Sequence, residues 1–380
     1  MYNKSTIENS DTLYFYAPID GRKTYRVTGR AEDSRHWRGE RRLEGAPVAP
    51  QYLIFETATA PMAGDTGNLM ELRPGYRTGF GTLDSSELDV AEDGSFELVL
   101  GPERPEGFGG HFVCTRKPPN KRSPDAGDRY ADYVSGSQLF YDWENEEPIH
   151  LTIECLDHAG DHPAPITPEK AAANLRRMGS IIRGQMRFWL GFYDVVLNCN
   201  QTHEDDGRPY FMPINTPNGA SSNTGGGMST NIYAGGIYEL GEDEALLVEA
   251  TFTGDPVYTS MHLGNMWGES PDYTNHQNSL NRHQMYIGED GIQRWVVAHR
   301  DPGVQNWIDM TGLPTGYLSH RWAYSELPPK EDWPTISCRV ISFDEIQTAI
   351  PENQPRVSAA ARRQEIRIRQ RHVQKRFRVF

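Results

Sequence analysis

The chain reads as a mainly β protein with a few helices: two tandem jelly-roll-like β-sandwich modules, a central amphipathic helix joining them, and a helix at the C-terminal end. Three observations predict this. A strand, Asp-Gly turn, strand unit occurs twice; one long stretch between the copies has helical periodicity; and the tail is a basic segment free of turn formers. The expected boundaries are 1–166 for the first module, 167–200 for the helix, 201–345 for the second module and 346–380 for the tail.

The repeat is legible in short pieces. "YLIFETATA" (52–60) has the build of "ALLVEATFT" (245–253), an aliphatic strand with an acid near its end. "ELDVAEDGSFELVLGPERPEGFGGHF" from 87 parallels "QMYIGEDGIQRWVVAHRDPGVQNWI" from 284. The pairs Asp93-Gly94 and Asp290-Gly291 predict tight type I′ hairpins, because Asp and Gly tolerate positive φ. Each copy then offers an aromatic piece, "LFYDWENEEP" and "LSHRWAYSELPP", and closes on an alternating strand, "IHLTIEC" and "TISCRVI".

Between the copies, Thr167-Pro168-Glu169 is a helix start, with Thr as cap and Pro at the first helical position. Leu175, Met178, Ile181, Ile182, Met186, Trp189, Leu190, Tyr193 and Val196 follow at steps of three and four and predict one apolar face packed against the sheets. Residues 199–230 have no usable period and predict a long loop. In the tail, Ile366, Ile368, Val373, Phe377 and Phe380 are partial anchors for a basic helix clasping the body or joining a homo-oligomer.

At 380 residues the chain is long enough for two cores. Its net charge of −14 disfavours nucleic acid as a partner, since polyanion binding needs basic surface. No apolar run approaches a membrane span, and "MYNKSTIENSDT" has no apolar signal core, so a cytoplasmic protein without a membrane partner is expected. The four cysteines form no C-x-x-C pair and predict reduced thiols.

Phosphate-loop, dinucleotide, zincin and nucleophile-elbow motifs are absent. "THEDDG" (202–207) reads as a solvated turn, and His276 and His283 would leave a strand on opposite faces, so neither a metal nor a cofactor is expected. The densest polar and aromatic set lies in the second copy. Alternation on a strand from Tyr258 places Tyr258, Ser260 and His262 on one face and Thr259 and Met261 on the other. Tyr and His on one strand face suit a pocket wall, where aromatic bodies are buried and polar tips orient a ligand. In "DPGVQNWIDMTGLPTGYLSHRW" (301–322), Pro302, Gly303, Gly312 and Gly316 are expected to shape a loop at the mouth of the second module that presents Asn306, Trp307 and Arg321.

"DGIQRWVVAHRDPGVQNWIDMTGLPTGYLSHRW", with "EALLVEA" and the Asn265/Trp267 segment, resembles the domain-of-unknown-function family 1214, often found beside family 1254. "DGSFELVLGPERP" with "LFYDWENEEPIHLTIE" looks like a divergent second edition, and residues 9–30 are similar to the Asn-Pro-Asp opening of relatives, with Ser10 in place of Pro. The resemblance implies a β-rich, jelly-roll fold and no settled reaction.

The expected function is a cofactor-independent enzyme acting on a hydrophobic, aromatic small molecule by side-chain acid and base. Lyase chemistry is one version, such as carbon–carbon cleavage of a phenolic dimer; isomerase and hydrolase chemistry are others. Trp267, Trp307 and Trp322 would line the cavity and Arg321 would hold an anionic oxygen. Asn265, Asn306, Asp309, Tyr273 and Gln284 would orient polar groups, and His262 or Tyr258 would move a proton. Asp11, Tyr14 and Tyr16 complete the expected pocket. The alternatives are a carbohydrate-binding or scaffold protein and, last, a metal-dependent oxygenase on a cupin-like barrel.

Overall fold

A computed structural model of the chain describes residues 7–59, 79–119, 127–162, 164–199, 208, 211–214, 216–219, 230–252 and 254–377. The chain divides into two compact units: an N-terminal unit of Thr12–Gln185 with Lys375–Phe380, and a C-terminal unit of Met1–Asp11 with Met186–Gln374. The opening residues thus group with the second half of the sequence.

The N-terminal unit contains β1 (Thr12–Pro18), β2 (Tyr25–Arg30), β3 (Tyr52–Ala58), β4 (Gly79–Asp84), β5 (Ser95–Gly101), β6 (His111–Cys114), the short pair β7 (Arg116–Lys117) and β8 (Arg129–Tyr130), β9 (Tyr133–Leu139) and β10 (His150–Cys155). Two four-stranded sheets, ordered β1-β9-β3-β4 and β10-β2-β5-β6, enclose Val27, Leu53, Phe55, Leu98, Leu100 and Val134. Alternating apolar residues on facing strands form this core.

The C-terminal unit contains β11 (Asn231–Glu239), β12 (Glu244–Thr251), β13 (Tyr258–Gly264), β14 (Ser279–Asn281), β15 (Gln293–Ala298), β16 (Trp307–Asp309), β17 (Thr315–Ala323) and β18 (Thr335–Ser342). Its sheets run β11-β17-β13-β14 and β16-β15-β12-β18, around Ile232, Leu246, Val248, Met261, Trp295, Leu318 and Trp322. Strand for strand this is the order of the N-terminal unit, down to the parallel pairs β5–β6 and β15–β16. The repeat is therefore a repeat of topology, and the fold is mainly β and sandwich-like.

One sequence pairing is off by a strand. Residues 52–58 are β3, whose place in the other unit is taken by β13, while 244–251 are β12, the counterpart of β2. Any buried strand shows that aliphatic alternation, so the pattern does not name a register. The Asp-Gly turns also differ from expectation. Gly94 (φ 84°) and Gly291 (φ 76°) are left-handed, but neither Asp is, which rules out type I′. Each Asp instead accepts a backbone N–H two residues on, from Ser95 and Ile292, both at 3.0 Å.

Helix α1 spans Pro168–Cys199, and the Thr167 hydroxyl accepts the Lys170 N–H at 3.3 Å. Of its expected apolar face, Trp189 and Tyr193 are buried with Phe188, whereas Leu175, Met178, Ile182, Met186 and Leu190 are exposed. After the short α2 (Ile346–Ala349), α3 (Ala359–Phe377) is anchored differently from expectation. Arg362, Arg369, His372 and Val373 are its buried residues in the C-terminal unit, while Ile366 and Ile368 are half-buried and Phe380 lies outside the described residues. Arg362 donates to Asp301 (3.0 Å) and to the Val304 carbonyl (2.8 Å); Arg369 donates to Ser279 Oγ (3.2 Å) and its carbonyl. Guanidinium groups reach carbonyls that aliphatic anchors cannot satisfy. Among the described residues, no helix is long and apolar enough to cross a membrane.

Candidate functional site

The sheet β11-β17-β13-β14 has one face in the apolar core and a second face that is polar, buried on β13 and β14 and half-buried on β11 and β17. Register defines that second face. Tyr233, Arg321, Ser260 and Asn281 form one row across the four strands, and Ser319, His262 and Ser279 form the next. Every residue of β13 is buried, so the expected alternation holds while neither face is solvated. Antiparallel sheets usually leave one face to water.

On this face the opening segment supplies an acid. Tyr258 donates to Asp11 Oδ2 at 2.6 Å, and Asn9 Nδ2 donates to the Tyr258 oxygen at 2.7 Å. Asn281 Nδ2 donates to Asp11 Oδ1 at 3.0 Å, and Ser260 Oγ lies 2.6 Å from the phenolic oxygen. Burial first, and the Asp11 carboxylate second, push the Tyr258 phenol well above its ordinary range, with Arg321 opposing them. The phenol is consequently a proton donor across the physiological range.

His262 stands four residues beyond Tyr258 along β13, on the same face. It is fully buried, and neither ring nitrogen has a partner among the described residues. Burial, then the Arg321 charge, lowers its pKa to about 3. The ring is neutral and sits edge-on to Tyr317, with centroids 6.2 Å apart. The Arg321 guanidinium covers the Tyr233 ring at 4.9 Å. The buried Asp11, Tyr258 and His262 and the half-buried Arg321 thus share one face.

The remaining expected residues are placed elsewhere. Trp322 is next to Arg321 on β17 and by alternation faces the core, where it meets His320 at 4.0 Å. Trp307 belongs to β16 and a separate cluster with Val296 and Ile346, its indole donating to the Ala298 carbonyl at 3.1 Å. Residues 307–309 and 315–323 are strands, so the expected presenting loop is mostly sheet, and Trp307 and Arg321 do not converge. Asn306 is a buried staple that donates to the carbonyls of Tyr286 (2.6 Å) and Arg294 (2.8 Å) and accepts the Tyr286 N–H (2.8 Å).

Asn265 closes its own turn through the Trp267 and Glu269 N–H groups, and Trp267 is exposed. Asp309 accepts from Thr311 N–H (2.7 Å) and pairs with His276 (2.8 Å); Gln284 accepts the Asn281 N–H at 3.2 Å; Tyr273 is buried. Tyr14 and Tyr16 are exposed on β1 of the N-terminal unit. Residues 202–207 lie outside the described residues. Among the described residues, no cluster of metal-binding side chains occurs.

Sequence reasoning missed Asn9, Tyr233, Ser279 and Arg369. Asn9 had a local signal, two residues before Asp11; the other three are defined by cross-strand register or helix docking, which leave none. A surface depression of about 210 Å³, lined by Tyr286, Gly288, Glu289, Asp290, Arg294, Pro351, Asn353 and Gln354, shares no residue with the polar face. Its Arg294 is already paired with Asp290 (2.7 Å) and Glu249 (2.8 Å), so the polar face is the stronger candidate.

Among solved structures, the chain is similar to an uncharacterized protein from Burkholderia cenocepacia, at 26% identity and a TM-score of 0.68 over 90% of this chain and 79% of that one. The VPA0106 protein from Vibrio parahaemolyticus is more distant, at 10% identity and a TM-score of 0.44 over 87% and 89%. No family model and no curated protein matches the chain.

Proposed function

We propose that the C-terminal unit is a cofactor-independent acid–base enzyme for a small aromatic molecule carrying a phenolic or other anionic oxygen. The single observation that carries this is His262: fully buried, beside Arg321, with neither ring nitrogen partnered among the described residues. Leaving such polar atoms unpaired costs about 1–3 kcal/mol, a cost that a hydrogen-bonding ligand removes. Arg321 receives the oxygen and stabilises it as an anion. His262 takes the hydroxyl proton, its basicity rising once an anion lies beside it. Tyr258, backed by Asp11, returns a proton to the carbon or oxygen that accumulates charge. Lyase chemistry on a phenolic compound fits these roles, as do isomerisation and hydrolysis. Membership of family 1214 with its jelly-roll fold belongs to the same proposal and rests on the Asn306-Trp307, Asp309 and Arg321-Trp322 pattern.

Thermal-shift screening with phenolic compounds, followed by difference spectra for phenolate formation, tests it. Phenolic ligands should stabilise the wild type, with the phenolate band lost in Arg321→Gln and His262→Gln. Stabilisation that survives both substitutions would sink the assignment. The carbohydrate-binding alternative is favoured by a different feature: Tyr14 and Tyr16, two residues apart on β1, are exposed, and Tyr16 meets Tyr133 edge-on at 6.3 Å. Oligosaccharides in the same screen, with Tyr14→Ala and Tyr16→Ala, separate the two.

A further inference from the structure

The depression beside the 288–292 turn carries polar chemistry that the fold itself does not use. It holds about 210 Å³, roughly seven waters' share of the liquid, and so has room for one small ring rather than a chain of them. Gln354 lines it and is 3% exposed, yet its side-chain Nε2 has no hydrogen-bond partner among the described residues. A buried amide left unpaired opposes folding, and a leucine of similar size would fill the same space without that penalty.

The groups around Gln354 are held in place beforehand. Gln354 belongs to "PENQP", between Pro351 and Pro355, whose rings fix the backbone φ at both ends of the segment. The Gln354 N–H closes the segment on the Pro351 carbonyl at 3.0 Å, and the Pro355 carbonyl accepts the Gln305 N–H at 3.0 Å. On the 288–292 turn, Arg294 grips Asp290 through bonds of 2.7 and 3.2 Å, and Gly288 leaves room for the pair, since a Cβ there would stand 2.4 Å from Asp290 Oδ1. The repeat does not dictate this arrangement: counted from the Asp-Gly pair, the first copy has Glu97 where the second has Arg294.

We propose that this depression is a second binding site, one that takes a single uncharged sugar ring. The mixture of polar groups selects that class. Gln354 Nε2 donates, while the exposed Glu289 and the Asp290 carboxylate, 46% exposed beside Arg294, keep lone pairs that accept. A cation would use the acids and leave Gln354 unpaired, and an anion would be repelled by both acids. A hydroxyl donates and accepts at once, so neighbouring hydroxyls on one ring serve both kinds of group, with the C–H face of the ring against the half-buried Tyr286. The site shares no residue with the polar face and does not depend on the reaction proposed there.

Saturation-transfer NMR of the full chain with glucose, galactose, mannose and N-acetylglucosamine tests the proposal. At least one of these should receive transfer from the wild type, with a millimolar dissociation constant. Gln354→Leu should raise that constant about tenfold while the melting temperature stays the same or rises. Glu289→Ala, on an exposed side chain, should raise it about threefold and carries the test if Gln354→Leu fails to fold. Tyr14→Ala and Tyr16→Ala should leave it unchanged. Transfer to none of the four sugars would make Gln354 a partner of water alone and overturn the proposal. Binding that survives both Gln354→Leu and Glu289→Ala, or that disappears with Tyr14 and Tyr16 instead, would do the same.

Discussion

At Tyr258 and His262 burial acts on two groups with opposite charge habits and keeps both neutral. The phenol holds its proton against Asp11, and the imidazole stays unprotonated beside Arg321. His262 has a folded pKa of about 3 against an ordinary 6.5, so the unfolded chain takes up a proton that the folded one refuses. Its contribution to stability is whole above pH 6.5 and is lost as pH falls towards 3. Between pH 6.5 and 5 this amounts to about 2 kcal/mol. Urea unfolding of the wild type should therefore weaken over that interval more steeply than that of His262→Gln; equal slopes would place His262 in contact with solvent. Tyr258→Phe removes the donor to Asp11 and leaves a buried carboxylate under-satisfied, which should cost about 1–3 kcal/mol by the same measurement.

At the level of elements, Asn306 shows how a residue that looks like a ligand group can serve the sheet. Its three bonds tie the Tyr286 backbone to the end of β15, so Asn306→Ala should cost roughly 2–5 kcal/mol and leave ligand binding per folded molecule unchanged. Binding lost in proportion beyond the loss of folded protein would return Asn306 to the site. Gly268 makes a second case. It has φ 72°, and an added Cβ would stand 2.3 Å from the Trp189 ring, so Gly268→Ala should lower the melting temperature, whereas the same change at Gly254, open around its Cβ, should cost only the backbone strain. Alternation on β13 was legible from Tyr258 onward because the side-chain period of a strand is two. The neighbours of β13 were not, because pairing with β17 joins residues some sixty positions apart, and no local pattern encodes that distance.

Across the whole molecule, two buried groups, one in each unit, respond to pH in opposite senses. In the N-terminal unit Glu146 is fully buried and held by Arg42 at 3.2 Å, yet burial raises its pKa to about 7. A carboxyl raised in this way contributes most below its unfolded pKa near 4.5 and loses that contribution as pH rises through 7. His262 does the reverse in the C-terminal unit. Scanning calorimetry between pH 7.5 and 5 should therefore move the C-terminal transition down, while the N-terminal one moves less, because Glu146 offsets the buried His36, whose pKa is lowered to about 4. Glu146→Gln should alter only the N-terminal response; a single transition that shifts as one would show that the two cores unfold together.

The duplication, the start of α1 at Thr167 and the sharing of one strand face by Tyr258 and His262 were determined by local sequence, through periodicity and capping acting over a few residues. The meeting of Asp11 with Tyr258, the sorting of Arg321 from Trp322 and the anchoring of α3 through arginines were decided only in the tertiary structure. These depend on which strands become neighbours and which faces they bury, and such choices follow from the packing of the whole core, which no short window of sequence contains.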